Sequence, residues 1–126
     1  MIKIILIAGL FLAGSAHAYE LERAKANMAQ DLMFCMTYYA YWGKLDKSEG
    51  IDTSKMFDNA KWALNLAQVY EPEIKKLDAI SELAVNEINK VTKEEGSTRL
   101  VLTYAESCKA MLEHPTDRFK YWQDKK

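Results

Sequence analysis

Histidine is almost absent from this sequence: His17 and His114 are the two in 126 residues. Zinc ligation through several histidines is therefore excluded, and so are the paired Glu-x-x-His motifs of di-iron bundles. No G-x-S-x-G elbow is present, so no local motif supplies partners for a Ser-His-Asp set around His114. The two cysteines, Cys35 and Cys108, form neither a C-x-x-C redox pair nor a C-x-x-C-H haem attachment. A glycine-rich phosphate loop is missing. Alternating strand patterns, internal repeats and low-complexity tracts are missing too. An excess of basic charge is also lacking, since the formal net charge is −1. A nucleic-acid binder needs a basic face to displace counterions, and an anionic membrane surface would find little to attract here. The expectation is a protein that is not an enzyme and carries no metal and no cofactor.

What is present begins with an export signal. Met1-Ile2-Lys3 is a short basic start, Ile4 to Leu12 is an apolar run, and Ala16-His17-Ala18 is a small-x-small cleavage site. That order is the pattern of a secretory leader. The run is shorter than the roughly 20 residues a membrane-spanning helix needs. Residues 1–18 are thus expected to be removed, leaving Tyr19 as the first mature residue, with no stable membrane insertion afterwards. Tyr19 is not a cysteine, so a lipid anchor is not expected. The expected location is the periplasm or the exterior. Residues 19–126 are of a size typical of one domain with one core. His114 is the only histidine this mature chain keeps.

The punctuation divides 19–126 into four main helical segments. The first runs from Tyr19 to Lys47, with Leu21, Met28, Leu32, Cys35, Tyr39 and Trp42 on one stripe. The second starts after Asp52-Thr53-Ser54, which offers N-cap chemistry, and runs to Tyr70. Met56, Ala60, Ala63, Ala67 and Tyr70 mark its stripe, widened by Trp62, Leu66 and Val69. Glu71-Pro72-Glu73 breaks the chain and opens a third helix, because proline and acidic side chains suit a first turn. That helix carries Ile74, Leu77, Ile80, Ala84, Ile88 and Val91, and Gly96 stops it. Its charges (Glu71, Glu73, Asp78, Glu82 and Glu87 among Lys75, Lys76 and Lys90) read as a solvated face. Ser97 or Thr98 caps the fourth, which carries Val101, Tyr104, Cys108, Met111 and Leu112 until His114-Pro115. Thr116-Asp117 opens one short further turn that folds Phe119 and Trp122 back. The predicted fold is an all-α, four-helix up-down bundle with a short C-terminal helical turn.

That topology sets the cysteines side by side. Cys35 lies 12 residues before Lys47 and Cys108 lies 10 residues after Thr98. At 1.5 Å per residue their depths differ by about 3 Å. Both sit on core stripes, and an exported chain meets oxidising conditions. One structural disulfide, Cys35–Cys108, is the expectation.

Leu32 to Trp42 holds no charge over three helical turns, so apolar and aromatic groups surround the helix there. Met33, Phe34, Tyr38 and Tyr41 lie off the main stripe. Three readings are open: helix one is central and covered all round, it presents a partner surface or homodimer seam, or it lines a pocket for an apolar ligand. Candidate partner-binding residues are Met33, Phe34, Tyr38, Tyr41 and Trp42, towards an exported or envelope protein.

Two resemblances of format accompany this reading. Met28 low on helix one and His114 at the end of helix four resemble the haem-binding pair of the exported b-type cytochrome bundles. That resemblance implies a haem carrier with Met28 and His114 as axial ligands. The other assignment is Met28 as core and His114 as a helix C-terminal residue facing the dipole. The run from Cys108 to Pro115 is similar to the arrangement after the second cysteine of small exported acid-stress chaperones. That resemblance implies a helical chaperone whose Leu32–Trp42 stretch becomes exposed in acid. The reading preferred from the residues is a non-enzymatic, exported helical bundle that binds a protein partner through helix one.

Overall fold

The computed structural model describes residues 2–50 and 52–125, with the backbone alone described for 2–17. The described chain is all-helical: α1 spans Ile2–Ser48, α2 Ser54–Tyr70, α3 Ile74–Glu95, α4 Ser97–Glu113 and α5 Pro115–Asp124. The expected leader boundary at Ala18–Tyr19 falls inside α1, and the side chains of residues 1–17 lie outside the described residues.

Local chemistry accounts for each break. At the start of α2 the Asp52 carboxylate accepts the Ser54 amide at 3.0 Å, which satisfies one donor the helix leaves open. This hydrogen bond holds the Asp52 carboxyl below the usual carboxylate range. Glu71 takes the same part before α3, accepting the Glu73 amide at 3.1 Å, and Lys76 then sits 3.6 Å from Glu71 and 3.5 Å from Glu73. Those two carboxylates, Glu71 foremost, raise the Lys76 pKa above its ordinary value. Gly96 alone joins α3 to α4, with φ 87° and ψ 169°. That region is essentially closed to residues with a Cβ. Gly96→Ala is therefore expected to cost about 2 kcal/mol in urea unfolding, although the space around the Cβ position is open. Pro115 opens α5 at a position where a missing amide is harmless.

α1 is the hub. It packs most extensively on α2, then on α3 and α5, and it also touches α4, whereas α2 meets α3 and α4 only sparsely. The all-round apolar stretch from Leu32 to Trp42 explains this arrangement, because one stripe could not serve so many neighbours. Ser97 lies by Tyr41, Cys108 by Cys35, Arg118 by Asp31 and Lys125 by Arg23, so α4 and α5 both run antiparallel to α1. The expected C-terminal turn is a helix of 10 residues that continues α4 down the face of α1 after a bend at His114-Pro115.

The predicted disulfide is present, with a Cα–Cα distance of 5.5 Å across 73 positions of sequence. Around it lies a core of Met28, Leu32, Ile88, Leu100 and Cys108, all fully buried. Ala60, Ala63 and Ala67 give α2 a flat buried face against this core. Gly43 adds a close approach: a Cβ there would stand 2.9 Å from the Phe57 ring. The buried Thr37 hydroxyl donates to the Met33 carbonyl at 2.9 Å, so a polar group in the core is satisfied. Some positions on the predicted stripes are open instead. Val69 and Ile74 flank the Glu71–Glu73 break and are 72% and 65% exposed, and Trp62 and Val101 are also exposed. Periodicity marks a helix face but not how far its neighbour extends over it.

Candidate binding clefts around helix one

The aromatic candidates of α1 do not form one surface. Met33 is buried in the core, and Tyr38 is closed in between Tyr39 and Tyr104, whose ring centroids lie 5.3 and 5.7 Å away. Neither offers area to a partner: the Tyr104 ring of α4 lies against Tyr38, and Met33 is 2% exposed. This corrects the sequence-based expectation for those two residues. Phe34 and Tyr41 keep partial exposure but line different clefts, and the partly exposed Trp42 lines neither.

The first cleft lies between α1 and α3 and has a volume of about 430 Å³. Its floor is Met36, Ala40, Tyr41 and Ile88, with Val85 exposed on one side, and Lys44, Ser81 and Asn89 supply polar edges. The Tyr41 hydroxyl lies 3.4 Å from Ser97 Oγ, and its ring meets the Trp42 indole edge to face at 5.5 Å. The buried Trp42 indole N–H meets no acceptor at hydrogen-bonding geometry.

The second is a trough along α1, α4 and α5, made of adjoining hollows of about 310 and 280 Å³ that share Ser107, Met111 and Arg118. Phe34 lines it. At its centre Asp31 Oδ2 accepts from Arg118 Nε at 2.8 Å and from the Trp122 indole at 2.7 Å. The Arg118 guanidinium lies 4.5 Å from the Tyr121 ring centroid and 5.0 Å from that of Trp122. Lys125 approaches the same rings at 5.5 and 5.2 Å. Sequence reasoning placed Trp122 on the bundle but missed this cluster. Its signal was the spacing of Arg118, Tyr121, Trp122 and Lys125 at three-, four- and seven-residue steps, which sets cations and rings on one helical face.

Asp31 thus fastens α5 to α1. Asp31→Ala is expected to cost about 1–2 kcal/mol, discounted because both side chains of the ion pair are partly exposed. Hydrogen exchange should show the loss confined to α5, with the α1–α4 amides still protected.

The haem reading meets a correction. Met28 is fully buried in the core, whereas His114 is exposed at the α4–α5 bend and lines the trough. A closed core position and an open helix bend do not converge on one iron, so the residues present do not fit an axial pair. Ser107, His114 and Asp117 do border one hollow, but the Ser107 hydroxyl donates to the Tyr104 carbonyl at 3.3 Å. Most of the stretch that an acid-stress chaperone would expose is packed under α2, α3 and α4.

Burial raises the pKa of Tyr38, Tyr39, Tyr70 and Tyr104 above the ordinary tyrosine value. Nearby Tyr38 and Glu113 add to the rise at Tyr39, and Glu87 adds to it at Tyr104. A raised folded-state value means the native chain holds these protons more tightly than the unfolded chain. Their contribution is therefore complete below about pH 10 and declines above it. Thermal melts from pH 8 to 11.5 should be flat to about pH 10 and then fall steeply.

Among the described residues, no three His, Cys, Asp or Glu side chains are grouped to hold a metal ion, and no helix is long and apolar enough to cross a membrane. No protein-family model, curated protein or solved structure matches the chain.

Proposed function

We propose that this chain is exported, loses residues 1–18, and works without catalysis by binding a protein partner at the α1/α3 cleft. The leader-like order of residues 1–18 and a disulfide suited to an oxidising compartment support the export half of this reading. One observation carries the binding half: the partly open Tyr41 ring lies at a cleft whose wall holds the 43% exposed Val85. Bulky aromatics with an apolar floor and a polar rim have the anatomy of an interaction hot spot. Lys44, Ser81 and Asn89 form that rim. The partner is an exported or envelope protein, or a second copy of this chain.

The test is capture from a periplasmic extract by the tagged protein, run beside Tyr41→Ser/Val85→Ser and beside Phe34→Ser. A specific protein should be lost with the first variant and retained with the second. Sedimentation of the wild type identifies the homodimer case. Amino-terminal sequencing of the purified protein should begin at Tyr19.

A further inference from the structure

We propose that the trough along α1, α4 and α5 is a second, separate site, which binds a singly charged amphipathic carboxylate such as a medium-chain fatty acid, with Arg118 as its anchor. The two hollows, about 310 and 280 Å³, adjoin at Ser107, Met111 and Arg118, and each is of a size that suits a small ligand. The hollow between α4 and α5 is largely apolar, with Ala110, Met111 and Tyr121 in its wall, while the hollow towards α1 mixes Phe34 and Tyr104 with Gln30, Asp31 and Thr103. Arg118 lines both halves, so one guanidinium stands at the junction.

The surroundings of that guanidinium suit it to capture a carboxylate. Asp31 holds its Nε, and the Tyr121 and Trp122 rings lie 4.5 and 5.0 Å away. The terminal nitrogens take no part in the Asp31 bond, and the side chain is 37% exposed. A guanidinium fixed beforehand offers its paired donors at little further cost in side-chain entropy. Asp31 already offsets one positive charge, and Asp117 lines the same depression. With Asp31 and Asp117 lining it against Arg118 the depression has no positive excess, so a multiply charged phosphate is disfavoured and the apolar walls must supply most of the affinity for a singly charged carboxylate. An alcohol with the same tail would leave the anchor unused.

Titration calorimetry of the protein, expressed from its full-length sequence, with dodecanoate, dodecan-1-ol and acetate tests the proposal. Dodecanoate should bind at least tenfold more tightly than either of the others. Arg118→Gln should reduce dodecanoate to the level of dodecan-1-ol. Since Arg118 also helps to hold α5, Ala110→Phe provides an independent arm. It fills the trough from an exposed position on α4, away from the Asp31 contact, and should weaken dodecanoate at least tenfold at an unchanged melting temperature. Equal binding of dodecanoate and dodecan-1-ol, or undiminished binding by Ala110→Phe, overturns the proposal.

Discussion

Replacing Cys35 and Cys108 together by alanine lowers the stability of this protein by about 4 kcal/mol in the chain-entropy picture of a disulfide. The magnitude follows from the loop the bond closes, since the two cysteines are 73 positions apart. Both side chains are also buried, at 2% and 0% exposure, so their removal loosens packing between α1 and α4. α4 depends on the bond more than α2 does, because its other direct contacts with α1 are fewer. The melting temperature should fall by roughly 15 °C or more. Hydrogen exchange should show α4 and α5 losing protection before α1 and α2. A loss below about 1 kcal/mol would mean that α4 is held mainly by packing.

Leu32→Ala should cost nearly as much, about 3 kcal/mol. Leu32 is fully buried near the middle of the part of α1 that faces every other helix. The core cluster it belongs to includes residues of α2, α3 and α4, so a hole there is not closed by one helix moving inward. A matched substitution at Leu83, which is 62% exposed on α3, should change stability by no more than about 0.5 kcal/mol. Urea unfolding of the two variants at one pH gives the comparison. Equal effects would contradict the placement of α1 at the centre.

The contrast between those leucines shows what the sequence made legible. Helix boundaries were readable where local chemistry writes them: Asp52 before α2, Glu71-Pro72-Glu73 before α3, Gly96 after it, and His114-Pro115 after α4. The Cys35–Cys108 bond was readable because helix rise converts sequence spacing into depth. The central position of α1 was one of three readings of its uncharged stretch, and only packing could select it. Tyr38 and Tyr41 show why. They share a helix face three residues apart, yet α4 closes over one and leaves the other partly open at the α1/α3 cleft. Met28 and His114 fail as a pair for a related reason. A helical wheel gives each a direction, but the α4–α5 bend carries His114 outward while Met28 stays in the core. The Asp31–Arg118–Trp122 cluster joins positions some 90 residues apart, and no local pattern encodes that meeting.

One feature of the structure links stability to the proposed role. Charged side chains cover the outer faces of α2 and α3, while the apolar content of α1 is divided between a closed core and two open clefts. A disulfide and an α5 latch hold that division in place.

The most direct measurement is capture of a periplasmic partner by the wild-type protein, by Tyr41→Ser/Val85→Ser and by Phe34→Ser, each with its melting temperature recorded. The partner-binding reading predicts one specific protein, or a second copy of the chain, lost only with the Tyr41/Val85 variant while all three proteins remain folded. Retention of that partner by the folded Tyr41/Val85 variant would contradict it.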